Sequence, residues 1–141
     1  MRLLQSLLAV LLLAALPAAA QEATTTDYPA AVSLLSTDKT VVGETIHYPD
    51  GPAKVTSLIV TIAPGGETGW HKHGVPLYVH ILQGTAVVDY GDHGKRTYKT
   101  GDSFMEAMDV WHNGTNPFTE PARILVVYMG GGDAQSVIHK K

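Results

Sequence analysis

The sequence predicts an all-β domain, and three observations predict it. Short runs rich in Val, Ile, Leu, Thr and Tyr recur at residues 55–62, 77–82, 85–90 and 124–128. Clusters of Pro, Gly, Asp and Asn punctuate the chain between them. After residue 20, no stretch sustains the 3.6-residue period of an amphipathic helix. Many short strands at close spacing in one domain point to a sandwich or a closed barrel, and the pattern alone does not separate the two.

At the start of the chain stand Arg2, an apolar Leu/Ala/Val run to Leu16, and then Pro17, Ala18, Ala19 and Ala20. This is the pattern of a cleavable secretory signal peptide over residues 1–20. Ala18 and Ala20 fit the small-residue cleavage site. The apolar run falls short of the ~20 residues that a bilayer span needs. No later run is longer, so no stable membrane insertion is expected after cleavage. Export to a periplasm or to the extracellular medium is the expected destination. Residues 21–29 are Thr- and Ala-rich without periodicity and read as a flexible tether.

The β domain is placed at residues 30–130. Turn signals fall at residues 49–52, 64–66, 91–94, 100–102 and 113–114. Residues 90–98 read as a hairpin closed by Gly91 to Gly94. Residues 131–141 open with Gly131, Gly132 and Asp133 and end in Lys140 and Lys141. They are expected to form a loosely held tail.

Composition narrows the partners. The 141 residues hold 10 Lys and Arg against 13 Asp and Glu, a net charge of −3 with His neutral. Cleavage of the signal removes only Arg2 from that balance, which leaves about −4. No basic stripe appears, which argues against nucleic acid as a partner. Cysteine is absent. An exported core must then hold without disulfides, and any metal must be held by His, carboxylate or water.

Seven histidines remain to be read: His47, His71, His73, His80, His93, His112 and His139. His93 in a turn and His139 in the tail are expected in solvent. His47 and His80 fall in strand-like segments and are expected to be packed or surface residues. His71 and His73 differ because residues i and i+2 of a strand share a face. Two imidazoles on one face make half of a metal site.

The spacing around this pair completes the picture. Gly65 precedes His71 by six positions and Gly84 follows His73 by eleven; Gly101 precedes His112 by eleven and Asn116 follows it by four. These two sets resemble the paired motifs of the cupin superfamily. The resemblance implies a double-stranded β-helix, the jelly-roll barrel, with His71, His73 and His112 as metal ligands. Two departures stand out. The family's motif Glu falls at Leu77, or at Tyr78 with one more residue of spacing, and neither is a carboxylate. The Pro and Gly of the second motif fall on Ala107 and Asp109. Within the superfamily, residues 68–73 and 106–114 are similar to small bacterial proteins related to quercetin dioxygenases.

Three neutral imidazoles suit one divalent ion, Fe(II), Zn, Mn, Ni or Cu, and the resemblance to non-heme iron cupins that lack the carboxylate implies Fe(II) first. They leave the ion's charge uncompensated and coordination positions open. Metal affinity is expected to fall below about pH 6, near the ordinary His pKa of ~6.5. Glu106 is a candidate to stand in or beside the site as ligand or base, because it shares even parity with His112. Glu67 is a weaker candidate. Tyr78 is a candidate phenol if its register turns it inward, and Leu77 should line the pocket. Trp70 and Trp111, each next to a proposed ligand, should point away and pack in the outer core.

The function this implies is that of an exported, metal-binding, dioxygenase-like enzyme. Its substrate would be a small enolisable or polyhydroxylated organic molecule. Two alternatives stand beside it: a non-catalytic protein that captures a metal or small ligand, and a metal-dependent isomerase or hydrolase. A homodimer is a plausible assembly for a protein of this kind.

Overall fold

Alternation of side chains along the strands sets the architecture. The computed structural model describes residues 30–141. The predicted signal peptide, residues 1–20, and tether, residues 21–29, lie outside the described residues. Nine strands belong to the unit Val32–Lys141. They are β1 (Ala53–Ile62), β2 (His71–Lys72), β3 (Leu77–Gln83), β4 (Thr85–Asp89), β5 (Lys95–Lys99), β6 (Ser103–Met105), β7 (Asn113–Thr115), β8 (Ala122–Gly131) and β9 (Ile138–His139). No α-helix occurs among the described residues; one 3-10 turn spans Gly91–His93.

One sheet has the order β1-β8-β3-β6. Its centre is β8, which pairs antiparallel with β1 from Ala53 opposite Gly131 to Ile62 opposite Ala122. On its other side β8 pairs with β3, from Leu77 opposite Tyr128 to Ile81 opposite Ile124. The second sheet runs β5-β4-β7. Single bridges Glu67↔Thr115 and His71↔His112 carry it on to β2, which pairs with β9.

The period-2 pattern places the core between the sheets. On β8, Ala122, Ile124, Val126 and Tyr128 are buried, and on β3 so are Leu77, Val79 and Ile81. Ala86 from β4 and Phe104 from β6 join them. Phe104 stacks on Tyr98 of β5 at 3.8 Å between ring centroids, one contact that joins the two sheets. Glycine is required between β3 and β4. Gly84 has φ 77°, and a Cβ there would come within 2.5 Å of the Pro121 carbonyl oxygen.

The apolar runs read from the sequence are the strands observed, extended by a residue or more at several ends. Residues 90–98 close β4 onto β5 through the 3-10 turn, as the glycines predict. One difference concerns β1. Ile62 is in the core and Val60 packs against it, but Val55 is 68% exposed and Ile59 is 54% exposed, because they take the other face of a strand at the edge of its sheet. A second concerns residues 131–141, which were expected to be loose. Gly74 donates to Gln135 O at 3.1 Å, and Lys140 donates to Trp70 O at 3.0 Å. This docking needs a glycine, since a Cβ on Gly74 would lie 2.6 Å from Gln135 O.

Candidate metal centre

Backbone pairing builds the site before any side chain acts. The amides of His71 and His112 each donate to the other's carbonyl at 2.9 Å, so the two residues stand directly opposite across the bridge. His73 lies two residues on and shares the inward face of His71. The ring centroids are 4.5 Å apart for His71 and His112, 5.0 Å for His71 and His73, and 5.1 Å for His73 and His112. One ring nitrogen from each lies within 4.8 Å of the others, so the three histidines could hold a metal ion.

The remaining ring nitrogens are fixed by carbonyls. His71 Nδ1 meets Gly69 O at 2.8 Å, His73 Nδ1 meets Ser136 O at 2.8 Å, and His112 Nδ1 meets Val110 O at 2.9 Å. A carbonyl only accepts, so each Nδ1 carries the proton and each Nε2 keeps a free lone pair. This is the arrangement that metal-bound histidines share. Nε2 of His112 is buried with no hydrogen-bond partner, a costly state that a cation would relieve. The residues therefore fit the ion that the motif implies. Burial holds all three imidazoles below their ordinary pKa, with His73 lowered to about 3. They stay neutral and ready to ligate.

The histidines line one end of a cavity of about 380 Å³. Leu77, at the position of the family's Glu, lines it and is buried as expected. Glu106 lines it too and is 6% exposed. Its Oε1 accepts from the Ala107 amide at 2.8 Å. Burial pushes its carboxyl up to about 7, while the Ala107 amide, the Tyr90 hydroxyl and His71 pull the other way. The parity reasoning for Glu106 does not describe how it arrives there. β6 ends at Met105 and β pairing resumes only at the His112 bridge to His71, so residues 106–111 turn instead of continuing an unbroken strand.

That turn is held by a residue the sequence gave no reason to select. Glu44 accepts from the Met108 amide through Oε2 and from the Asp109 amide through Oε1, both at 2.8 Å. Thr40 Oγ1 donates to the same carboxylate at 2.9 Å. Glu44 belongs to no motif and lies more than sixty residues away in sequence. The Ser136 carbonyl behind His73 was equally invisible, because a backbone acceptor leaves no side-chain signature.

Tyr78 is not brought to this site. β3 turns it to the face opposite the cavity, where its hydroxyl donates to Ser103 Oγ at 3.1 Å. Odd-numbered Leu77 and Val79 take the inward positions instead. His80 shares the outer face and meets Ser103 Oγ at 2.8 Å. Glu67 is exposed and accepts from Asn113 Nδ2 at 2.8 Å. Trp70 and Trp111 point away from the ligands as expected, yet they are not in a core. Trp70 is 38% exposed, and lysines cover both rings, Lys140 over Trp70 and Lys72 over Trp111. His47 and His93 are exposed. His139 is exposed as well, but it pairs with His71 and reaches the cavity mouth.

This fold matches a known class. Residues 58–128, half of the chain, match the cupin domain, and the chain belongs to the cupin family. Among solved structures, the DMSP lyase DddQ from Ruegeria pomeroyi DSS-3 is similar, with a TM-score of 0.54 and 20% identity over 61% of this chain and 43% of that one. An oxalate oxidase matches with a TM-score of 0.51 and 20% identity over 60% of this chain and 45% of that one. The Lactobacillus farciminis oxalate decarboxylase matches with a TM-score of 0.50 and 27% identity over 60% of this chain and 26% of that one. The chain thus spans less than half the length of these structures. None of the curated proteins matches it.

Proposed function

We propose that the protein is an exported, metal-dependent cupin enzyme that acts on a small enolisable organic molecule through chemistry like that of the quercetin dioxygenase relatives. One observation carries this reading: three lone pairs, including the orphaned Nε2 of His112, converge at one end of an apolar cavity that also holds Glu106. When bound, a divalent ion supplies an electrophile for an enolate or carbonyl oxygen and, where it is iron, redox chemistry toward dioxygen.

The chain's own residues supply the rest. His71, His73 and His112 orient the head of the substrate. The apolar walls exclude water and strengthen every charge interaction inside. Glu106, with a carboxyl near 7, is poised to take the proton from the carbon beside a carbonyl and to hold it at its carboxyl. The structural neighbours named as lyases, a decarboxylase and an oxidase support a catalytic use of such a site in this fold.

The test has two stages. Elemental analysis of purified wild type beside His73→Ala is expected to give one equivalent of metal, iron first, and none in the variant. Oxygen uptake with 1,3-dicarbonyl compounds follows. An ion-loaded protein that consumes no oxygen yet turns such compounds over anaerobically would favour the isomerase or hydrolase reading. Glu106 is the observation behind that second reading, since its proton transfer needs no oxidant. An inert, metal-free protein overturns both.

Among the described residues no strand covers the outer edge of β1, which supports a homodimer as the assembly. Val55, Leu58 and Ile59 are exposed there, and only Lys54 among its ten residues carries a charge. Sedimentation of wild type beside Ile59→Lys checks this, with a dimer expected for the first and a monomer for the second.

A further inference from the structure

The cavity is polar at one end only. The three histidines, Glu106, Thr68 and His139 lie at the metal end, and among the described residues no Lys or Arg lines any part of it. Tyr128 stands at that end, 5.7 Å from His73 between ring centroids. Along β8 from Tyr128, Val126 and then Ile124 face inward, and both line the cavity. Ile124 lies roughly 13 Å further along the strand, at ~3.3 Å per residue. Val60, Ala86 and Phe104 complete the far walls. Among the residues lining that end there is no side-chain donor or acceptor.

A barrel this small gains burial and dispersion by closing such a space. Its dry walls bind apolar matter and leave a buried hydroxyl or charge without a partner. We propose that the ligand is one-ended: a chelating, singly anionic oxygen head held at the histidines, joined to an unsubstituted hydrocarbon or aryl body that fills the space from Val126 to Ile124. This rests on the metal reading above. It removes the polyhydroxylated molecules that the sequence left open, and it sets this cavity apart from one suited to a small dianion such as oxalate.

The test uses straight-chain hydroxamates on the zinc-loaded protein, followed by calorimetry, from acetohydroxamate to decanohydroxamate. Affinity is expected to rise about fourfold per methylene, until the cavity is full, and then to level off. An octanohydroxamate with a terminal hydroxyl is expected to bind ten- to a hundredfold more weakly than octanohydroxamate, roughly the reach of an unpaired hydroxyl in an apolar pocket. Val126→Phe should bring the plateau to a shorter chain. Should that variant not fold, Val126→Ala should move it to a longer one.

Affinity that ignores chain length, or a terminal hydroxyl that is tolerated, overturns the proposal while leaving the metal reading intact. Chain-length dependence that is the same in zinc-loaded and metal-stripped protein upholds the apolar body and overturns the metal reading instead.

Discussion

His71 and His112 exchange both backbone hydrogen bonds, each at 2.9 Å, and it is this pairing that places their imidazoles 4.5 Å apart between centroids. Forty-one positions of chain separate the two, so the site is a property of sheet closure. The ion would join side chains that the backbone has already brought together.

The first prediction follows from that order of events. His112→Ala is expected to abolish stoichiometric metal binding and to keep the β-sheet circular dichroism of wild type. The buried apolar clusters on β3, β4 and β8 do not include His112. An unfolded variant would show that the imidazole, not the barrel, organises this region.

A second concerns Glu106 in metal-stripped protein. Its folded value of about 7 stands above the ordinary 4.5, so the folded chain binds this proton more tightly than the unfolded one. The stability it lends is complete below pH 4.5 and is lost as pH rises through 7. Glu106→Gln mimics the protonated state at every pH. Denaturant unfolding is expected to give matching stabilities at pH 4. At pH 8 wild type should fall below the variant by up to about 3 kcal/mol. An equal gap at both pH values would mean that the carboxyl ionises freely in the folded chain.

The sequence alone led to a loss of metal affinity below about pH 6. Burial moves that threshold down. All three imidazoles are held below their ordinary value, so protons compete with the ion only at lower pH. Zinc titrations at pH 7, 6 and 5.5 are expected to show a far shallower decline than the roughly thousandfold per pH unit that three ordinary imidazoles give below their pKa. A decline of that full steepness starting at 6.5 would contradict the buried site.

The C-terminal segment gives a fourth prediction. Ser136 O fixes the tautomer of His73, and Gly74 is the gap that lets Gln135 approach. Deleting residues 133–141 is expected to lower zinc affinity ten- to a hundredfold while the fold persists. Gly74→Ala, which pushes the segment away without shortening the chain, should move affinity in the same direction. Unchanged affinity in both would assign the segment no part in the site.

Glu44 provides the fifth. Its carboxylate accepts from two amides of the turn that carries Glu106 to His112. Glu44→Gln keeps the size and loses charge-assisted bonds, with an expected cost of about 1–3 kcal/mol in unfolding free energy. Thermal unfolding followed with and without zinc checks it, and the loss should be smaller with the ion bound.

By itself the sequence determined the longer strands and singled out the three histidines that the fold brings together. Period-2 runs such as residues 77–82 report burial directly, because each inward side chain must be apolar. His71 and His73 share a face through strand geometry alone, and the glycine and histidine spacing around them marked the cupin fold and added His112. The tertiary structure decided the remainder, for one physical reason: contacts made by backbone atoms, or across sixty residues, leave no local pattern. Tyr78 or Leu77 inward was a matter of one residue of register, which β8 settles by pairing Leu77 with Tyr128. Glu106 reaches the cavity through a turn that Glu44 holds, and a tail read as loose holds His73 through a carbonyl. The one-sided polarity of the cavity emerges only when walls from different strands face each other.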